Sequence, residues 1–262
     1  MPPERLVSLA AGTILDVGPA EAVSVAAQAG WPAVGVWFDP ASWTDTTTAE
    51  VRRRLDDTGL VALDIEPVIL GPDGDPGDRL IDVAAEIGAR HVLVASRWDD
   101  PIMVTDRFAA LCDRAAPHDI TVVLEFLPIF GIRTLSEAVQ IVSAADRPNG
   151  GVLVDTLHLS RSGGSPADLA VVDPALLPYL QVADAPAAVP ADLASLVDEA
   201  RYGRLLPGEG VLPIRDVIEA VPMVPLSFEL RSRLLHQTYP DAVDRAVAVM
   251  QNWLEFSSGH SG

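Results

Sequence analysis

The sequence predicts one α/β domain folded as a closed (β/α)8 barrel, and three observations support this prediction. Eight short apolar runs alternate with helix-like stretches at a spacing of roughly 30 residues. The runs are continuously apolar, as at residues 122–124, which is typical of parallel strands buried on both faces. Eight such units within 262 residues favour a closed barrel over an open sheet, and no Gly-x-Gly-x-x-Gly turn follows the first run to indicate a dinucleotide site.

The apolar runs are predicted strands at 6–10, 33–38, 61–65, 91–95, 121–126, 151–154, 179–183 and 226–230. Helical patterns are found at 19–29, 48–58, 78–87, 105–116, 135–145 and 240–255. Gly30 and Gly88 directly follow two of these patterns and indicate helix ends, and the threonines at 46–48 are suited to cap the second helix. Residues 160–211 are rich in Pro, Gly and Asp and are expected to supply long loops at one face of the barrel.

The domain is predicted to cover residues 1–256, with a disordered tail of small polar residues at 257–262. Cys112 is the single cysteine, so no internal disulfide is possible. No apolar run reaches the length of about 18 residues that a membrane span needs, and the first residues do not form a signal peptide. We therefore expect a soluble cytoplasmic protein without a membrane partner. A homodimer is ordinary for this architecture, but the sequence leaves the oligomeric state open.

The charge balance excludes several classes of protein. Acidic residues number 37 and basic residues 18, which gives a net charge of −19, and all the basic residues are arginine. Without lysine there can be no Schiff-base aldolase, no lysine-bound pyridoxal phosphate and no P-loop lysine. Because an acidic chain repels phosphodiester backbones, no nucleic-acid partner is expected.

Acidic residues occur where several of the predicted strands end. Strand three ends in Asp64 and Glu66, and strands five, six and eight end in Glu125, Asp155 and Glu229. In a barrel these strand ends meet at one face, which is where active sites lie. A single acid there could cap a helix or pair with an arginine. Three converging carboxylates repel one another and raise each other's pKa, so a divalent cation is the natural partner for them.

This pattern resembles the xylose isomerase-like TIM barrels, and within them the sugar phosphate isomerase/epimerase family, which includes ketose 3-epimerases, hydroxypyruvate isomerase and inosose dehydratase. The motifs that carry the resemblance are Glu125, Asp155-Thr156-Leu157-His158, Gln181, Arg204-Leu205-Leu206-Pro207-Gly208-Glu209-Gly210 and Glu229. The resemblance covers nearly the whole chain. It implies a divalent-metal-dependent isomerase or epimerase acting on a small sugar, keto-sugar or polyol.

By this resemblance, the metal ligands are Glu125, Asp155, Gln181 and Glu229. Family members often have a histidine where this chain has Gln181. The amide oxygen of glutamine can still bind a metal, and an all-oxygen site favours Mn²⁺ or Mg²⁺ over Zn²⁺. The glutamine also leaves room for a weakened or absent metal.

The resemblance assigns substrate contacts to His158 and Arg204. Glu66 and Arg97 follow strands three and four and are further candidates for substrate binding. Glu66 could instead order the loop before Pro67.

Glu125 and Glu229 are the expected catalytic pair. One would remove a proton next to a carbonyl and the other would return it, while the metal stabilises the enediolate. Return to the opposite face gives an epimer, return to the neighbouring carbon gives an isomer, and loss of a β-hydroxyl makes the enzyme a dehydratase. Two other interpretations remain. One is a non-catalytic binding barrel, which Gln181 in place of a histidine ligand supports, and the other is a zinc-dependent DNA repair endonuclease. Such an endonuclease binds zinc mainly through histidines, but only one of the five histidines here lies at a predicted strand end. The charge of −19 also argues against DNA as a substrate.

Overall fold

The structure is a computed structural model that describes residues 5–221 and 223–259. Its strands are β1 (Val7–Leu9), β2 (Ala33–Trp37), β3 (Val61–Leu70), β4 (His91–Ser96), β5 (Thr121–Glu125), β6 (Gly150–Asp155), β7 (Leu180–Val182) and β8 (Leu226–Phe228). Its helices are α1 (Pro19–Gln28), α2 (Asp45–Thr58), α3 (Gly77–Ile87), α4 (Pro101–Ala115), α5 (Leu135–Ala145), α6 (Thr156–Arg161), α7 (Pro166–Leu169), α8 (Leu193–Tyr202), α9 (Ile214–Glu219), α10 (Arg233–Thr238) and α11 (Ala242–Ser258).

The strands form one closed parallel barrel in chain order, as the sequence predicted. Closure comes from β1, which pairs with both β2 and β8, so that Ser8 lies opposite Ala33 on one side and Ser227 on the other. Among the described residues, no helix is long and apolar enough to cross a membrane.

Strand β3 is longer than the sequence predicted, and this changes the position of Glu66. The strand continues through a cis Glu66–Pro67 peptide bond to Leu70. Its pairing with β4 shifts register between Ile65 and Val68, which lets the ladder resume beyond the proline. The prediction that Glu66 ends the strand is therefore wrong, because this residue lies in its middle.

Two helices begin earlier than predicted because other residues cap them. Helix α2 is capped by Thr44, whose hydroxyl accepts from the Thr47 N–H, so the helix starts ahead of the threonines at 46–48. Helix α4 starts at Pro101 because the Asp100 carboxylate accepts from the next free N–H groups, including that of Ile102.

The expectation of long loops between residues 160 and 211 is only partly right. Helix α8 lies within this stretch, capped by Asp192 and built largely from good helix formers. At the carboxyl terminus, α11 runs to Ser258, so residues 257 and 258 are helical rather than part of the predicted tail. Residues 260–262 of that tail lie outside the described residues.

Two apolar layers hold the barrel together. The larger one packs the outer faces of the strands against the helices. The smaller one fills the inside of the barrel, and we call it the inner plug: Ala33, Leu63, Leu93, Val123, Leu153 and Tyr179. Leu93 also lines the cavity described below, so the plug closes the barrel directly beneath that cavity.

Candidate active site

The four predicted metal ligands lie on neighbouring strands β5 to β8. Glu125 and Asp155 are the last residues of β5 and β6, Gln181 is in the middle of β7, and Glu229 directly follows β8. In the ladders, Asp155 lies opposite Gln181. All four side chains are buried, with at most 6% of the residue exposed. The barrel therefore brings together residues that are far apart in the sequence.

Asp155 joins strand β6 to helix α6 and is held at both carboxylate oxygens. One oxygen caps the helix by accepting from the N–H groups of Leu157 (2.7 Å) and His158 (3.1 Å). The other accepts from Nη1 of Arg204 at 2.5 Å. Burial alone would raise the pKa of Asp155, but Arg204, His158 and these hydrogen bonds together hold the pKa below its usual value. Asp155 is therefore ionised and fixed in place.

Arg204 is the buried cation at the centre of this acidic group, although the sequence predicted only a substrate contact for it. Its guanidinium bridges Asp155 and Glu229, with Nη2 at 2.9 Å from Oε2 of Glu229. Nη2 also lies 3.4 Å from Nε2 of His158, and Nε donates to the Ala200 carbonyl at 3.1 Å. Only 2% of Arg204 is exposed. A buried arginine paired in this way fixes both carboxylates relative to each other.

Glu125, Asp155 and His158 can hold a divalent metal ion. One ligand atom from each residue can be chosen so that the three atoms lie within 4.8 Å of one another. The Gln181 side chain next to Asp155 is buried, and neither its amide oxygen nor its nitrogen has a hydrogen-bond partner among the described residues. A buried amide without partners is costly, and a metal bound to its oxygen would satisfy it. The donor set thus fits a divalent metal.

His158 contributes a nitrogen to this cluster, which was not part of the predicted all-oxygen ligand set. Burial lowers the pKa of His158 to about 4, so its imidazole is neutral at neutral pH. Its Nε2 lies 3.9 Å from Oε1 of Glu125. A neutral imidazole at this place can accept a hydrogen bond, contact a substrate hydroxyl or bind a metal.

The remaining carboxyl groups of the site are less acidic than usual. Burial, with the nearby charge of Glu229, raises the pKa of Glu125 and of Glu66 well above the usual value. Burial also raises the pKa of Glu229, although Arg204 opposes this shift. Carboxyl groups with raised pKa values beside an ionised Asp155 are typical of functional sites, where such groups serve as general acids and bases.

A cavity of about 340 Å³ opens above these residues. Glu66, Glu125, His158, Arg204 and Glu229 line it, so five of the predicted site residues share one cavity. A sixth, the exposed Arg97, lines it as well, and Trp37 at the end of β2 provides an apolar wall. Arg231 lines it too, and two of its polar lining residues, Arg201 and Tyr202, were not predicted from the sequence.

The polar residues differ in how readily the sequence points to them. Arg231 comes two positions after Glu229, and the sequence already offers it as one of several arginines that could hold a phosphate. Arg201 and Tyr202 are at the end of helix α8, which was not predicted, so the sequence held no signal for their position. Asp184 also lies near the site, but it accepts from the N–H groups of Gly208 and Gly210 and so anchors the loop that follows Arg204.

Comparisons with known proteins identify relatives of this chain. A 3-dehydroshikimate dehydratase of Pseudomonas aeruginosa is 27% identical over 206 residues, which are 72% of this chain and 32% of that protein. The chain spans about a third of the length of the curated relatives that it matches.

Solved structures share the fold. The IolI protein with a bound zinc atom has a TM-score of 0.83 at 15% identity, covering 98% of this chain and 100% of that one. The probable 3-DHS dehydratase AsbF of Bacillus anthracis has a TM-score of 0.75 at 19% identity, covering 95% and 98%. A family model described as a xylose isomerase-like TIM barrel matches residues 23–253. This match covers most of the chain and the whole candidate site, and the chain belongs to that family.

Proposed function

We propose that this protein is a divalent-metal-dependent dehydratase that acts on a small cyclic keto-polyol. The observation that carries the proposal is the convergence of Glu125, His158 and Glu229 on one cavity above the fixed Asp155. The names of the relatives favour loss of water over isomerisation, because two of the similar proteins reported above are described as 3-dehydroshikimate dehydratases, one of them as probable. We therefore choose 3-dehydroshikimate as the first substrate to test.

The metal ligands we propose are Glu125, Asp155, Gln181 and Glu229, with His158 as a further donor within reach of the first two. When bound, a divalent cation polarises a substrate carbonyl and lowers the cost of removing a neighbouring proton. Oxygen donors predominate in this set, which favours Mn²⁺ or Mg²⁺.

The protein's own residues supply the proton transfers. Glu125 ends β5, Glu229 directly follows β8, and both line the cavity. Burial raises the pKa of both carboxyl groups, which makes them candidates for proton transfer. One takes the proton from the carbon next to the carbonyl. The other protonates the leaving hydroxyl on the next carbon, so that the C–H and C–O bonds break, a C=C bond forms and one water leaves. Arg204 holds Glu229 in place for this exchange.

The test is turnover of 3-dehydroshikimate by protein reloaded with Mn²⁺ and desalted. Loss of water from this compound gives 3,4-dihydroxybenzoate, whose aromatic ring absorbs in the ultraviolet. We expect a rise in absorbance that depends on the metal and is lost in Glu125→Gln. The matched control is Glu209→Gln, an exposed glutamate outside the cavity, which should retain full activity. Turnover that survives chelation, or that survives Glu125→Gln, would contradict the proposal.

The isomerase or epimerase alternative remains because Glu125 and Glu229 approach the cavity from separate strands. Such a pair could remove a proton from one face of a sugar and return it to another. Incubation of a panel of ketoses in heavy water distinguishes the two reactions. Deuterium incorporation without loss of water would favour isomerisation or epimerisation.

A further inference from the structure

The arginines of this protein fall into two groups according to whether their guanidinium is paired. Among the described residues, the guanidinium groups of only four arginines make no hydrogen bond and no ion pair: Arg90, Arg97, Arg201 and Arg231. Three of these four line the same cavity, and Arg90 does not. In a chain with 37 acidic and 18 basic residues, partners for an arginine are abundant. Unpaired guanidinium groups gathered at one cavity therefore point to an anionic ligand.

Two of these arginines lie over aromatic rings. The guanidinium of Arg231 lies 6.0 Å from the ring centre of Trp37, and that of Arg97 lies 5.9 Å from the ring centre of Phe130. A cation–π contact attracts a guanidinium to a ring without using its N–H groups. Both side chains therefore keep the donors with which an arginine pairs with a carboxylate through two parallel hydrogen bonds.

The cavity is therefore acidic at its floor and basic at its rim. The charge of Arg231 lowers the pKa of Glu66, Glu125 and Glu229, so it faces the same space as these carboxyl groups. Arg97 and Arg201 are exposed at the rim. A substrate with one negative group would be oriented by this contrast. Its anionic end would lie at the arginines, and its neutral hydroxyl and carbonyl groups would lie at the carboxylates.

We propose that Arg231, with Arg97 and Arg201 at the rim, binds a carboxylate substituent of the substrate and so selects acidic keto-polyols over neutral sugars. This inference rests on the proposed function for the identity of the site. It extends that function by naming the residues that bind the charged group of the substrate.

The test measures binding rather than turnover, so it stands apart from the test of the reaction. The probes are 3,4-dihydroxybenzoate and its neutral isostere 3,4-dihydroxybenzamide, titrated by calorimetry into Mn²⁺-loaded protein and into chelator-treated protein. We expect the acid to bind at least about tenfold more tightly than the amide, since a hydrogen bond to a charged group is worth about this much. Arg231→Gln should remove this preference by weakening binding of the acid and leaving binding of the amide unchanged.

Matched variants separate a local effect from a general effect of charge. Arg97→Gln and Arg201→Gln should each reduce the preference by a smaller factor than Arg231→Gln, because these side chains are more exposed. Arg90→Gln removes the fourth unpaired arginine, which lies outside the cavity, and should leave both affinities unchanged. Circular dichroism of each variant verifies that it is folded.

Three results would overturn the inference. The first is equal affinity for the acid and the amide. The second is a loss of preference in Arg90→Gln as large as that in Arg231→Gln. The third is tighter binding of 3,4-dihydroxyphenyl phosphate than of the benzoate, which would assign the arginines to a phosphate instead. A preference that depends on Arg231 in a protein that does not turn over 3-dehydroshikimate would support the inference and contradict only the proposed reaction.

Discussion

The inside of the barrel has two ends of opposite character. The inner plug is made almost entirely of apolar side chains such as Leu63, Val123 and Leu153, which contact one another and leave no polar atom to satisfy. Above it, Glu66 in the cavity and Gln181 next to Asp155 are buried with polar atoms that have no hydrogen-bond partner among the described residues. Burying such groups destabilises a fold unless something binds them. The same eight strands therefore provide stability at one end and a binding site at the other.

The two ends meet at Tyr179 and Asp64. Tyr179 belongs to the inner plug by its ring, which lies 4.7 Å from the ring of His91. Its buried hydroxyl and both carboxylate oxygens of Asp64 have no partner within normal hydrogen-bond geometry in the part of the chain that the structure describes. The transition from plug to floor thus occurs over the length of one tyrosine side chain.

The largest effect should come from Glu229→Gln, which keeps the shape of the floor and removes one charge. We expect turnover to fall by about 10²–10⁴-fold, because a residue that transfers a proton in the transition state contributes that much. Metal content, measured by elemental analysis, should fall as well, because one carboxylate ligand is lost. Unchanged metal content and activity would mean that Glu229 neither binds the metal nor transfers a proton.

The strands and the positions of Glu125 and Asp155 could be predicted because the signal is local. A buried parallel strand is a continuous apolar run, and an acid that interrupts such a run stands out. The pairing of Arg204 with Asp155 was not predictable in this way, since the two residues are 49 positions apart and the contact depends on how the chain returns after helix α8. Helix α8 itself was not predicted, because the high proline and glycine content of residues 160–211 favours loops over helices.

A second test of the floor is Arg204→Met, which leaves Asp155 and Glu229 buried without their cation. We expect the free energy of unfolding of the metal-free protein to fall by about 3–5 kcal/mol, which is typical when one partner of a buried ion pair is removed. Urea unfolding with and without Mn²⁺ measures this, and added metal should restore part of the loss.

The control for this variant is Arg233→Met, which breaks an exposed pair with Asp198, where both side chains are more than half exposed. We expect a change under about 1 kcal/mol. A similar loss in both variants would mean that the buried ion pairs of Arg204 stabilise the fold no more than an exposed pair does.

A substitution in the inner plug should have the opposite effect: it should lower stability and leave kcat unchanged. Leu63→Ala removes a fully buried side chain from the middle of the plug and should destabilise the protein by about 2–4 kcal/mol. Because Leu63 does not line the cavity, kcat at a temperature where the variant is folded should match that of the parent. A large fall in kcat would show that the two ends are coupled.

The smallest effect is expected for a substitution of Asp64. The pH dependence of its effect on stability shows whether Asp64 belongs to the plug or to the floor. Burial, with the charge of Glu229, raises the pKa of Asp64 from 3.8 to about 6, although the neighbouring Tyr179 opposes the shift. Between pH 4 and pH 6 the unfolded chain therefore releases this proton while the folded protein keeps it, so Asp64 lowers stability as the pH rises, and no further change follows above pH 6.

Asp64→Asn removes this penalty. Its stability relative to the parent should be near zero at pH 4 and rise to about 2–3 kcal/mol at pH 7. Urea unfolding across this range measures the difference, and the surface variant Asp113→Asn should show no such gain. A difference that stays flat with pH would mean that Asp64 is ionised and partnered in the folded protein, as Asp155 is, and that the polar region extends further into the plug.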